Sequence, residues 1–184
     1  MPGDLFSKPA EYTIDSCSLM SIFSETPWIS KSVNPGLWEM VRGLMAEGVI
    51  VSHAEVLAEI KKDEKKGEEL YNWAHANEHI FKKHEEGAEG KIIRSMSVTY
   101  KVFVNNKNKA SDVYADPWLI AQAKLHKLKI ISEETHSGST NPANYKLPNV
   151  CDDPLFGVKC LNLWELVTER GWTFQSSQIT PSVI

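Results

Sequence analysis

The stretch EYTID, Glu11–Asp15, decides the fold class of this chain. It is a short run of β-favouring residues that ends on an acid, and two later runs have the same short apolar form: Val49–Val51 (VIV) and Lys129–Ile131 (KII). Apolar residues at helical spacing fill the intervals between these runs. Short apolar strands that alternate with helices are typical of a parallel sheet covered on both faces. The sequence therefore predicts a three-layer α/β/α fold with a central, mainly parallel sheet.

Local signals place the other elements along the chain. Ser52, with Glu55 three residues on, predicts a capping box that starts a helix after the second strand. Val158–Leu161 is predicted as a fourth strand. We expect one domain over residues 1–174 and a flexible tail over 175–184. Further helices are predicted over Ser16–Phe23, from Pro35 to a stop at Gly48, from Glu68, over Glu89–Val104, over Asp112–Lys127 and through Trp164.

Composition limits the class of protein. The 184 residues are 42% hydrophobic and 24% charged, which is an ordinary globular composition rather than a disordered one. With 20 Lys and Arg against 24 Asp and Glu, the net charge of −4 argues against a generic, basic nucleic-acid-binding domain. No apolar run approaches the length needed to span a bilayer, and no secretion signal is visible. Three cysteines are too few for a disulfide framework, so we expect a cytoplasmic protein with no membrane association.

Acidic residues follow three of the predicted strands. Because the carboxyl ends of parallel strands meet at one edge of a sheet, we expect these acids to converge there. Converging carboxylates repel each other, and their oxygens suit hard cations such as Mg²⁺ or Mn²⁺. Two such ions can support hydrolysis of a phosphodiester, so the pattern favours a metal-dependent nuclease. The acids are Asp15, Glu55 and Glu59 one helical turn apart, Asp112 and Asp116 at the same spacing, and Glu133 with Glu134.

Each acid also has an ordinary structural explanation. Asp15 and Asp112 could cap helices, and Glu55 could complete the capping box. Glu59 could be one more solvated charge beside the charged run that follows it, and at least one of Glu133 and Glu134 is expected in solvent. The repetition of strand followed by acid is what favours one common site.

Four motifs with these acids resemble those of the PIN-domain nuclease superfamily. Tyr12–Leu19 resembles its opening strand with an Asp followed by small hydroxyl residues, and Val56–Lys61 resembles its second motif. Ala115–Ala123, in which an Asp heads a helix, is the most specific match. Ile130–Glu134 resembles the fourth, a strand that ends in a hydroxyl residue, any residue and an acid. The motifs span about two thirds of the chain, and its C-terminal part is similar to an uncharacterised prokaryotic PIN-like group of the toxin type.

The resemblance implies a flavodoxin-like fold, an endoribonuclease that depends on Mg²⁺ or Mn²⁺, an RNA substrate and an antitoxin protein as partner. Bound divalent cations would offset the acidic balance, so the net charge of −4 does not exclude RNA. Carried over by position, the catalytic and metal-binding acids are Asp15, Glu59, Asp116 and Glu134, with Glu55 and Asp112 as second candidates and Ser16 and Ser132 in supporting positions.

Two departures from the family pattern keep a second function open. Glu134 stands where Asp is commoner, and Cys17 stands where many members have Ser or Asn. The alternative is a catalytically weak PIN-like module that binds RNA or a protein. A phosphatase or a nucleotide-binding flavodoxin-like protein is disfavoured, because no glycine-rich phosphate loop follows the first strand. The sequence leaves open the RNA target, the number of metals and whether the chain forms a homodimer.

Overall fold

A computed structural model of the chain describes residues 8–24, 28–62, 67–105 and 114–173. Its strands are β1 (Tyr12–Ile14), β2 (Ile50–His53), β3 (Phe81–Lys82), β4 (Lys129–Ile131) and β5 (Cys160–Leu161). They form one sheet in the order β3-β2-β1-β4-β5, and every neighbouring pair is parallel. The prediction of a three-layer α/β/α fold around a parallel sheet is confirmed.

Helices connect the strands and cover both faces of the sheet. Alternation along β1 decides which face each helix covers, because successive side chains of a strand point to opposite faces. Thr13 Oγ1 donates to Gln122 Oε1 on helix α7 (Asp116–His126) at 2.7 Å, whereas the neighbouring Tyr12 hydroxyl donates to Glu169 on helix α9 (Leu163–Glu169). The two helices therefore lie on opposite faces. The helices are α1 (Ser16–Phe23), α2 (Pro35–Ala46), α3 (Ala54–Lys62), α4 (Glu68–Ala76), α5 (Glu86–Thr99), α6 (Lys101–Val104), α7 (Asp116–His126), α8 (Leu147–Cys151) and α9 (Leu163–Glu169).

The strand order creates a switch point between β1 and β4. The chain moves outward from β1 through β2 to β3, then returns across the sheet to place β4 on the other side of β1. Ile14 is level with Ile131 in the pairing of β1 and β4, so Asp15 and Ser132 leave the sheet side by side. In open α/β sheets this edge is where ligands bind, because the two connections depart to opposite faces and leave a crevice.

The start of α3 differs from its prediction. Ser52 belongs to β2, where its Oγ donates to the Ile14 carbonyl at 2.7 Å, so the predicted capping box is wrong. Pairing of Ser52 and His53 with Phe81 and Lys82 extends β2 beyond Val51. The partner strand β3, with only two residues, has no recognisable pattern in the sequence and was not predicted.

Two other helices begin or end at residues that differ from the predicted ones. Helix α7 starts at Asp116 rather than Asp112, and Pro117 takes a first-turn position that a proline favours. Asp112 itself lies outside the described residues, as does the predicted tail over 175–184. The helix predicted over Glu89–Val104 is two helices, α5 and α6, that meet at Tyr100. Among the described residues, no helix combines the length and apolar character needed to cross a membrane.

Candidate active site

Asp15 is the buried acid at the centre of the candidate site. It follows β1 and caps α1, since its Oδ1 accepts from the Ser18 backbone N–H at 2.7 Å. The residue is only 4% exposed. Burial raises the pKa of its carboxyl to about 6, against the lowering effect of its hydrogen bonds, and the charge of Glu134 contributes in the same direction. The helix cap therefore occupies one carboxylate oxygen of Asp15, and the second oxygen faces other residues of the site.

Ser132 connects Asp15 to Glu134. The Ser132 hydroxyl is buried and donates to Asp15 Oδ2 at 2.5 Å, and it accepts from the Glu134 backbone N–H at 3.1 Å. Glu134 Oε2 also accepts from the Leu147 N–H at the start of α8, at 3.3 Å. These contacts hold the segment after β4 against the end of β1. They fix Glu134 at its backbone N–H, through Ser132, and at its carboxylate, through the Leu147 N–H.

Glu59 links the segments that carry Asp15 and Asp116. Its Oε2 accepts from the Ser16 hydroxyl at 2.7 Å, and its Oε1 accepts from the Ala115 backbone N–H at 3.0 Å. Ser16 is next to Asp15 and Ala115 is next to Asp116, so one buried side chain fixes the spacing of both neighbours. The alternative of Glu59 as a solvated charge is wrong, because the residue is 8% exposed.

Cys17 lies near the acids, and their charge affects the pKa of its thiol. Burial raises the pKa of its thiol to about 12, and four carboxylates add to the effect: Asp15, Glu134, Glu133 and Asp116. Asp116 is half-buried at the first position of α7. Cys17 is thus an electrostatic neighbour of Asp15, Asp116 and Glu134 and also of Glu133. A thiol with this pKa is protonated at neutral pH, so Cys17 is unsuited to act as a nucleophile.

The two remaining described candidates point away from this group. Glu133 Oε1 accepts from the Leu163 N–H at 2.8 Å and so caps α9. Glu55 Oε1 lies 2.9 Å from His84 Nε2, in a different cluster. The structure therefore brings together Asp15, Glu59, Asp116 and Glu134 with Ser16 and Ser132, and leaves Glu55 outside.

A second group of side chains could hold a metal ion, and sequence reasoning missed it. His53, His84 and Glu89 each offer one ligand atom, and these atoms lie within 4.8 Å of one another. They come from the end of β2, the segment after β3 and helix α5. No short spacing in the sequence links them, so no local pattern could have found the group.

Fold and site together define an α/β protein with an acidic site at the switch point of a parallel sheet. The chain belongs to the family described as Domain of unknown function (DUF4411), whose family model matches residues 12–174. The match covers all five strands and every described acid of the site. No curated protein and no solved structure matches the chain.

Proposed function

We propose that this protein is an endoribonuclease of the PIN type that depends on Mg²⁺ or Mn²⁺. The observation that carries the proposal is the convergence of four carboxylates from separate elements at the switch point. Burying like charges together costs free energy unless a cation or a proton compensates for them. A fold that nevertheless places Asp15, Glu59, Asp116 and Glu134 at its ligand-binding edge is best explained by cation binding.

The donor chemistry fits the proposed ion. Carboxylate oxygens are the ligands that Mg²⁺ and Mn²⁺ prefer. Asp15, Glu59, Asp116 and Glu134 would hold the ion. When bound, it supplies activation of a water and neutralisation of the charge that develops on a phosphodiester during hydrolysis.

Hydrogen bonds within the protein position the acids of the site. Ser132 orients Asp15 and fixes the backbone of Glu134 through its two hydrogen bonds. Ser16 and the Ala115 N–H orient the two oxygens of Glu59. Carboxylates whose directions are fixed before the substrate arrives lose little entropy when they bind a cation, which is the advantage of a preorganised site.

The decisive test is cleavage of single-stranded RNA, with Mn²⁺ or Mg²⁺ and with chelator. Two neighbouring acids make a matched pair, because Glu134 belongs to the site and Glu133 caps α9. We expect the wild-type protein and Glu133→Gln to cleave in the presence of metal. Asp15→Asn, Asp116→Asn and Glu134→Gln should lose at least about a hundredfold in rate, as removal of a group that stabilises the transition state does.

The same experiment separates the alternative function. Binding of RNA without cleavage, equally strong in all variants, would contradict the nuclease and favour a catalytically weak binding module. Cleavage that survives in Asp15→Asn and Asp116→Asn would contradict the assignment of these acids to the active site. An antitoxin partner belongs to the same proposal and would inhibit the metal-dependent cleavage when added in equal amount.

A further inference from the structure

The second cluster, His53–His84–Glu89, is separate from the acids of the proposed active site. His53 is completely buried at the end of β2, and Glu89 is 1% exposed on α5. His84, which is partly buried, closes the cluster from the segment after β3. Three elements that are distant in the chain thus direct two imidazoles and a carboxylate to one point.

The cluster contains polar atoms that no protein group satisfies. His53 Nε2 and His84 Nδ1 are buried and have no hydrogen-bond partner. His53 Nε2 lies 3.4 Å from Glu89 Oε1, without the geometry of a hydrogen bond. A buried ring nitrogen without a partner costs free energy, so two of them side by side point to a missing ligand.

The spacing suits a transition metal. Ligand atoms about 2.0–2.1 Å from a tetrahedral ion lie about 3.4 Å from one another. The pair formed by His53 Nε2 and Glu89 Oε1 already has this separation, at 3.4 Å. The third ligand atom lies within 4.8 Å of the other two, so the side chains must draw closer to complete the set.

The surroundings provide the outer support that metal-binding histidines usually have. Glu55 Oε1 lies 2.9 Å from His84 Nε2, which leaves the unpartnered Nδ1 as the ring nitrogen available to an ion. The backbone N–H of Glu85 donates to Glu89 Oε2 at 2.7 Å and fixes the carboxylate. Trp118 stacks on the His53 ring and meets the His84 ring edge to face, so an apolar wall holds both imidazoles.

One existing contact opposes metal binding. His53 Nδ1 accepts from the Glu55 backbone N–H at 3.1 Å, which leaves the proton of the neutral ring on Nε2. Coordination through Nε2 of the neutral ring requires this proton to move to Nδ1, and the contact with the Glu55 N–H must then open. The loss of one neutral hydrogen bond is small beside the coordination of a dication by three ligands.

We propose that His53, His84 and Glu89 bind one transition-metal dication of the Zn²⁺ class. Two imidazoles and one carboxylate favour such an ion over Mg²⁺, which prefers oxygen ligands alone. The ion would join β2, the segment after β3 and α5, and three protein ligands leave a coordination position for water. This proposal does not rest on the nuclease function, because none of the three ligands belongs to the acidic site.

The test is calorimetric titration of Zn²⁺ into protein that carries no polyhistidine tag and has been stripped with chelator. In excess Mg²⁺, which competes for the carboxylates of the proposed active site, we expect one Zn²⁺ per chain and a rise of the melting temperature on binding. The visible absorption of bound Co²⁺ reports the coordination directly. His84→Ala and Glu89→Gln should each weaken the affinity at least tenfold, while Glu55→Gln should weaken it by a smaller factor.

Two matched variants serve as controls. His79→Ala removes an exposed histidine outside the cluster, and Asp116→Asn removes an acid of the proposed active site; both should bind Zn²⁺ like the wild type. If Glu89→Gln fails to fold, the partly exposed His84 decides the question. Absence of Zn²⁺ binding, unchanged affinity in His84→Ala, or loss of binding in Asp116→Asn alone would each overturn the proposal.

Discussion

Asp15, the buried acid at the end of β1, stabilises the fold in one way and destabilises it in another. Asp15 caps α1 through one oxygen, which stabilises the helix. Its charge is nevertheless buried beside Glu134, and the pKa of the carboxyl is raised to about 6. An acid whose pKa is raised from 3.8 to about 6 in the folded state lowers the stability as the pH rises above 3.8, and the loss is complete above about pH 6. Residues that cost stability in this way are typical of functional sites.

We therefore predict that Asp15→Asn stabilises the metal-free protein at pH 7. The amide keeps the cap with Ser18 and removes the charge, and a shift of about two pKa units corresponds to about 1–3 kcal/mol of unfolding free energy. Urea unfolding in the presence of chelator measures the difference. The exposed Asp152→Asn is the control and should leave the stability within about 0.5 kcal/mol. A clear loss of stability in Asp15→Asn would contradict the prediction.

At the scale of elements, Glu59 of α3 joins the first turns of two other helices. One oxygen binds Ser16 at the start of α1, and the other binds the Ala115 N–H just before α7. Without this link, the acids carried by α1 and α7 would depend only on packing for their spacing. The residue thus has a structural function and a proposed ligand function in one side chain.

Two substitutions of Glu59 should separate these functions. Glu59→Gln keeps an acceptor for Ala115 and, with the amide group, a partner for Ser16, so the unfolding free energy should change by less than about 1 kcal/mol. Glu59→Ala leaves the buried Ala115 N–H unpaired and should cost about 1–3 kcal/mol. Denaturant unfolding and RNA cleavage should both be measured.

Both variants should lose cleavage, because neither carries the carboxylate. Glu39→Ala, at an exposed ion pair on α2, is the control and should change neither quantity appreciably. Equal stability of Glu59→Gln and Glu59→Ala would show that the hydrogen bond to Ala115 does not support α7.

At the scale of the whole molecule, Glu169 of α9 ties the amino ends of three strands together. Its carboxylate accepts from Tyr12 of β1, from Lys129 of β4 at 2.6 Å and from Lys159 next to β5 at 2.7 Å. Hydrogen bonds from the two lysines lower the pKa of Glu169 to about 2. This contact lies at the edge of the sheet opposite the acids of the candidate site. Its opposite charges attract each other and stabilise the fold.

The Glu169 contact should make part of the stability depend on pH. An acid whose pKa is lowered from 4.5 to about 2 stabilises the fold fully above pH 4.5, and the contribution disappears as the pH falls towards 2. Because the side chain remains partly exposed, solvent screening reduces the contribution to about 1 kcal/mol.

Urea unfolding of the wild type and of Glu169→Gln, measured from pH 7 to pH 2.5, tests this. We expect a difference of about 1 kcal/mol at pH 7 that shrinks below pH 4. Glu39→Gln, at an exposed ion pair on α2, is the control and should show no appreciable dependence. A difference that is constant with pH would assign the effect of Glu169 to packing rather than to charge.

The sequence by itself determined the strands β1 and β4, the helix after β1 and the parallel three-layer class. These elements are local, since each is encoded by a few consecutive apolar residues and a polar end such as Asp15 or Ser132. The positions of Asp15 and Glu134 just after β1 and β4 also followed, because parallel strands must present their carboxyl ends at one edge.

Only the tertiary structure decided the partners of each side chain. Ser52 and Glu55 have the spacing of a capping box, yet Ser52 lies in a strand. Its pairing with β3 and its hydrogen bond to the Ile14 carbonyl hold it there. Glu55 and Glu59 are one turn apart on the same helix, but they reach different clusters. His53, His84 and Glu89 meet only because β2, β3 and α5 are neighbours in space. The physical reason is that local propensity acts over a few residues, whereas burial and charge act between segments that the fold brings together.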